Sequence, residues 1–249
     1  MLAKSHLMKE VRGAALGPLW IVVRPMMLLF VYWFVLSVGL RAGRTVDTDS
    51  FLLWLLAGLL PWFFISGALG EGPSAFRKYS YLITKVKFPV STIPTLVMAS
   101  NLITHFWLTV GAIVIVSFTS AGPSIYYLQL PLYMLAMFLF FTVFSLWAGT
   151  VGAISKDFIN FMKSISRMFF WTSGVIYSIA AIPNEKLREI LLLNPITVFI
   201  EGYRNSLVFE QWFWEDPRHL LVLLFWFTLL IIMGLRLYKK HREEMVDDL

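Results

Sequence analysis

The chain contains no cysteine. Disulfide frameworks, thiolate metal sites and cysteine nucleophiles are thereby excluded, and the redox compartment is left open. Charge is scarce too: charged residues are 14% of the 249, against about a quarter in a soluble domain. No Gly-Lys dipeptide occurs anywhere, so the chain lacks a Walker A loop to cradle nucleotide phosphates. There is no His-Glu-x-x-His pair, no Gly-x-Ser-x-Gly elbow and no acidic pair inside an apolar run, which removes the common routes to catalysis in a bilayer and leaves no metal site. What abounds is apolar. Hydrophobic residues make up 58% and mean hydropathy is +0.73, the composition of a polytopic membrane protein.

About 20 apolar residues cross a bilayer as a helix, and six intervals qualify: Leu19 to Leu40, Phe51 to Gly70, Ile93 to Phe118, Leu130 to Ile154, Phe161 to Ile182 and His219 to Leu237. The fold expected is all-α, a single membrane domain over residues 1–249 with six transmembrane helices. The net charge of +6 is divided among short loops, with no basic stripe interleaved with aromatics, so it reads as topology and not as nucleic-acid binding. Lys4, Lys9, Arg12, Arg77, Lys78, Lys85, Lys87, Lys156, Lys163, Lys239 and Lys240 gather on one side. By the positive-inside rule that side is the cytoplasm, with both termini in it. Arg24 and Arg167 lie early in their spans, near enough to an end to snorkel.

Three segments outside the spans have their own character. Residues 1–16 carry Lys4, Lys9 and Arg12 against Leu7, Met8, Val11 and Ala15, an uncleaved interfacial helix. Residues 79–88 place Tyr79, Leu82, Ile83 and Val86 on one helical face and Ser80, Thr84, Lys85 and Lys87 on the other, ending at Phe88-Pro89. Residues 183–218 are too apolar for a solvated loop and too interrupted for a span. Asn194-Pro195 reads there as a stop followed by a capped helix start. Beyond it Phe199, Ile200, Tyr203 and Leu207 form one face, with Glu201, Arg204 and Asn205 on the other. The segment is read either as two short re-entrant helices or as an external cap, followed by a Trp and Phe cluster at Trp212, Phe213 and Trp214 sitting at the interface.

Polar groups inside the spans are few. Asn101, Thr104, His105 and Thr109 share a face of the third span, either a proton relay or interhelical hydrogen bonding. Ser145, Gly149 and Ala153 recur every four residues, a pattern that lets backbones approach. Aromatics cluster at Phe30, Tyr32, Trp33 and Phe34 in the first span and at Phe169, Phe170 and Trp171 in the fifth. They serve either as lipid and core contacts or as a row for stacking on sugar rings.

Taken in order, LGPLWIVVRPMM, GLLPWFFISGAL, YLITKVKFPVSTIP, AISKDFINFMKSISRMFFWTSGVIY and LLLNPITVFIEGYRNSLVF resemble the ABC-2 type permeases that export lipid-linked glycopolymers such as teichoic acid, O-antigen and capsular polysaccharide. The resemblance implies a homodimer in the cytoplasmic membrane, bound to two copies of a separate ATPase subunit. That partner would hold the ATP and Mg, leaving this chain without cofactor or catalytic residue of its own. It implies that Tyr79, Leu82, Ile83, Lys85, Val86 and Phe88 couple to the ATPase, that residues 1–16 gate the inner-leaflet entrance, and that paired re-entrant helices precede the last span. Many relatives carry proline where this chain has Gly174, which bears on the kink of the fifth helix. Tyr32, Trp33, Phe170, Trp171 and Tyr177 are the expected lining of a substrate path between the first and fifth spans. Arg24 or Arg41 either meets substrate phosphate at one end of the path or snorkels. Teichoic acid is the polymer expected on overall similarity. The rival readings are an ABC-2 exporter of small molecules or drugs, a lipid-modifying membrane enzyme and a structural scaffold.

Overall fold

A computed structural model of the chain describes residues 19–40, 50–81, 89–119 and 122–247. The helix expected over residues 1–16 lies outside the described residues, as do Arg41, Leu82, Ile83, Lys85, Val86 and Phe88. Among the described residues every regular element is helical. Helix α1, Trp20–Trp33, runs on as a π-helical stretch, Phe34–Gly39. Helix α2, Phe51–Glu71, passes through a 3-10 turn, Gly72–Ser74, into the short α3, Ala75–Lys78. Then come α4, Ile93–Ser117, α5, Leu130–Ile154, and α6, Lys156–Thr172. Two short helices, α7, Glu185–Leu192, and α8, Pro195–Arg204, precede the long α9, Pro217–Asp247.

Among the described residues, five stretches are long and apolar enough to cross a membrane: Val22–Gly39, Phe51–Lys78, Val90–Ser117, Ile125–Ile154 and Pro217–Arg242. They coincide with five of the six expected intervals, so the protein is an all-α, polytopic membrane protein. The remaining interval, Phe161 to Ile182, is shaped differently. Its helix starts earlier, where Ser155 Oγ accepts the Phe158 N–H at 3.4 Å, and it stops at Thr172. Gly174 has a φ of +69°, the left-handed geometry in which a glycine ends a helix. The apolar residues beyond it form a turn and a short 3-10 helix, Ile179–Ala181.

Helix α2 is the axis of the bundle. It is apolar on every side, which suits a helix surrounded by others, and Trp54, Leu55, Leu59, Leu60 and Ile65 are fully buried. Helices α1, α4, α6 and α8 pack around it. Helices α5 and α9 pack along each other, and Phe141 joins them to the axis through an edge contact with Phe64 at 5.9 Å. Leu221, Leu224 and Phe225 on α9, and Phe30, Phe34 and Val38 beside α1, point outward, as lipid-facing positions do.

Backbones approach closely where α2 leaves the bundle. The small residues of α5 meet the Gly72-Pro73 turn: Ser145 Oγ donates to the Gly72 carbonyl at 3.4 Å, and a Cβ on Gly152 would lie 1.9 Å from the Pro73 carbonyl oxygen. The four-residue spacing therefore does permit backbone contact, with Gly152 tighter than Gly149. Arg77 of α3 caps the same helix end, donating from Nε to the Gly152 carbonyl at 2.9 Å and from Nη2 to the Ala153 carbonyl. These are last-turn carbonyls that otherwise have no helical partner. Gly152→Ala must push the Gly72-Pro73 turn away and is expected to destabilise the chain by about 1–3 kcal/mol. Thermal unfolding in detergent measures this, with Gly111→Ala, which meets no atom within 4 Å, as the unperturbed control.

Candidate functional site

Helix α6 differs from the long apolar helices α2, α4 and α5 in having two distinct faces. Ile159, Met162 and Phe170 point into the bundle. Asn160, Phe161, Lys163, Ser164, Arg167, Met168 and Trp171 are exposed. Arg167 sits three turns from the start of α6 at Lys156. With Asn160, Lys163 and Ser164 beside it, the exposed face suits water or a polar partner better than hydrocarbon.

The expected path residues separate on this helix. Phe170 is 7% exposed, with its ring 5.3 Å from Tyr32 of α1 and 5.3 Å from Trp62 of α2. This trio fastens α1 to α6 across the axis. Trp171 meets Phe170 edge-on at 5.5 Å and is 60% exposed. Trp33 lies 6.1 Å from Phe30 of its own helix. Arg24 is exposed, its guanidinium 5.7 Å from the Trp20 ring one turn earlier. Tyr177 is half-buried past the Gly174 turn. Helix α6 contributes Phe169 and Thr172 to an open apolar cavity of about 480 Å³, lined also by Phe144, Trp147, Asn194, Pro195, Trp226 and Met233.

Helices α7 and α8 fold back on each other as a hairpin. Asn194 caps α8 as its sequence foretold, Oδ1 accepting the Ile196 N–H at 3.0 Å with Pro195 in the first position. The hairpin tip is tied on two sides. Asn194 Nδ2 donates to Ser173 Oγ at 2.8 Å at the end of α6, and Trp226 Nε1 of α9 donates to the Leu193 carbonyl at 2.9 Å. Trp226 is nine residues into α9, so the tip lies about 14 Å along that helix from its start.

Arg204 was placed on the polar face of α8 by periodicity. In the structure its side chain is 0% exposed. Nη1 donates to the Gly174 carbonyl at 2.8 Å and to Glu201 Oε1 at 2.9 Å, and Nη2 donates to the Val175 carbonyl at 2.8 Å. The guanidinium lies flat over Trp54, 3.5 Å from the ring centroid. Gly58, one turn beyond Trp54, gives it room, since a Cβ there would meet Nη2 at 2.6 Å. A single cation thus joins α2, the end of α6 and α8. The sequence signal was the Glu201 and Arg204 pair together with Trp54 and Gly58 on one face of α2.

His105 is buried beside the same hairpin, with Nε2 2.6 Å from the Tyr203 hydroxyl. Thr109 donates to the His105 carbonyl at 2.9 Å. The geometry is interhelical hydrogen bonding between α4 and α8. At the other end of the bundle Tyr79 is 6% exposed and Tyr81 is 48% exposed, so the chain leaves α3 with one aromatic ring inward and the other outward.

Arg204→Ala leaves two backbone carbonyls and Glu201 without their partner, and is expected to destabilise the chain by about 3 kcal/mol. Arg204→Lys should recover part of this, because an ammonium cannot span both carbonyls and lie flat on Trp54. Thermal unfolding in detergent and protease cleavage between residues 183 and 194 measure the two effects.

Residues 1–208 match the family model described as ABC-2 type transporter. The chain is 24% identical over 250 residues to the O-antigen export system permease protein RfbA of Myxococcus xanthus, covering 100% of this chain and 94% of that protein. It is 25% identical over 250 residues to a protein of the same description from Klebsiella pneumoniae, covering 99% of this chain and 93% of that one. With a helical bundle of this kind and a family match over most of its length, the chain belongs to the ABC-2 type transporter family of membrane permeases.

Proposed function

We propose that the chain is the permease subunit of an exporter carrying a lipid-linked envelope polysaccharide out across the cytoplasmic membrane, with both termini inside. The observation that carries this reading is the outer face of α6, where Asn160, Lys163, Ser164 and Arg167 alternate with Phe161, Met168 and Trp171. Neither lipid nor a packed core accommodates such a surface, whereas a hydroxyl-rich polymer with a charged headgroup needs one. The apolar cavity beside α6 offers hydrocarbon a place along the same helix. Relatives aligned over 99–100% of this chain are O-antigen permeases by description, which supports polysaccharide over teichoic acid.

Two copies of the chain, facing each other through α1 and α6, would enclose the route. Exposed Trp171 is its foremost aromatic, joined by Tyr32, Trp33 and Tyr177 at the margins, and buried Phe170 stands behind it. Arg24 would meet phosphate at the entrance. Two copies of a separate ATPase supply the energy, since this chain has no Walker A loop. On this reading Leu82, Ile83, Lys85, Val86 and Phe88 dock into the ATPase, and Tyr79 anchors the segment in the bundle. Closure of the ATPase then displaces α3. Arg77 and the Gly72-Pro73 turn carry that displacement into the end of α5, and α6 begins two residues beyond Ile154. Rigid elements joined at packed contacts pass motion on as a switch between discrete arrangements.

Two variants test the reading in a strain whose surface polysaccharide depends on this chain. Lys163→Glu with Arg167→Glu should assemble with the ATPase yet lower surface polymer at least tenfold. Leu82→Asp with Ile83→Asp should abolish copurification of the ATPase. Undiminished surface polymer in the first variant would overturn the proposed route, and undiminished copurification in the second would overturn the docking segment.

A further inference from the structure

At the end of the bundle opposite Arg77, the loop between α8 and α9 presents a stack of aromatic rings. Tyr126 lies 4.9 Å from Trp212, and Trp212 stacks on Trp214 at 4.7 Å with the planes 8° apart. Phe213 props the edge of Trp214 at 4.9 Å. Trp214 is 57% exposed, so the stack ends in one broad indole face.

The loop is held rigidly for so exposed a segment. Gln129, at the threshold of α5, is almost wholly buried, and both ends of its amide are committed to the loop backbone. Nε2 donates to the Gln211 carbonyl at 2.7 Å, and Oε1 accepts the Phe213 N–H at 3.0 Å. Glu215 Oε1 accepts the Trp212 N–H at 3.0 Å. Glu210, with a φ of 53°, turns the chain into the loop from the π-helical stretch Asn205–Phe209 that continues α8. The same segment is fastened to α6 by Arg204 six residues earlier.

In an aromatic belt at a membrane surface Trp and Tyr rings sit at headgroup level. Here two indoles spend one face on each other, and the exposed neighbours are Glu210, Gln211, Glu215, Asp216 and Arg218, the last paired with Glu189 at 3.0 Å. Carboxylates repel phosphate headgroups and accept hydrogen bonds from hydroxyls. An indole face bordered by carboxylates is suited to the C–H face of a sugar ring whose hydroxyls reach the acids. We propose that Trp212 and Trp214, set by Gln129 and flanked by Glu210 and Glu215, form an external platform that binds a neutral sugar ring of the glycan as it leaves the permease. This rests on the polysaccharide-export reading and extends it to a second site on the chain.

The test uses the full chain in nanodiscs with its copurified ATPase, and as probe the source organism's envelope polysaccharide released from its lipid by mild acid hydrolysis. Titration should quench indole emission saturably. Trp212→Ala with Trp214→Ala should weaken binding at least tenfold, Glu210→Gln should weaken it severalfold, and Trp214→Phe, which keeps a ring, should stay within about threefold. Superimposable titrations for wild type and the double variant, with export intact, would overturn the platform and leave the export reading standing. Quenching of Trp214 by brominated phospholipid in place of the glycan would make the cluster a lipid anchor and overturn the platform as well. Surface polysaccharide that persists in a strain lacking this chain would instead remove the export reading itself.

Discussion

The arrangement depends on one buried charge. Arg204 gives up all its solvent, a loss that only several good partners can offset, and it finds two carbonyls, a carboxylate and an indole face. Those partners come from three parts of the chain far apart in sequence. The carbonyls belong to Gly174 and Val175, where the backbone has just left α6 and has no helical partner to bond. The break in α6 and the fold-back of α7 and α8 therefore stabilise each other: the turn exposes acceptors, and the hairpin returns a donor to them.

Local chemistry was legible from the sequence wherever it was self-contained. Asn194-Pro195 reads as a capped helix start and is one, because cap and partner are two residues apart. The long spans were readable for the same reason, since an apolar run of sufficient length is a property of one stretch of chain. The end of α6 was not, since hydrophobicity continues through Val175 and Ile176 while backbone geometry at Gly174 halts the helix. Periodicity set Arg204 outward because it assumes that charge seeks water, and the groups that hold it inward lie on other helices. The division between Phe170 and Trp171 was equally hidden: neighbours on a helix point about 100° apart, and the rings of Tyr32 and Trp62 determine which of the two is covered.

The two ends of the bundle are built on different principles. At the Arg77 end the contacts are backbone against backbone, with glycines at van der Waals limits and a guanidinium closing a helix terminus. Such joints transmit displacement with little loss, since close-packed atoms have nowhere to yield. At the opposite end the contacts are side-chain hydrogen bonds and stacked rings held by Gln129, Asn194 and Trp226. The first end is suited to receive force and the second to present a fixed surface.

The single residue between α5 and α6 carries a geometric consequence. Ser155 is the only linker between Ile154 and Lys156, so a tilt imposed on one helix end becomes a swing of the other. Helix α6 has 17 residues and is about 25 Å long. Pivoting it by about 5° would sweep its far tip through about 2 Å, comparable to the radius of a methyl group. On the proposed arrangement of two facing copies, an aperture bounded by two such tips would widen by roughly twice that, and modest angular travel at one end of the molecule would change which cross-sections fit through the other.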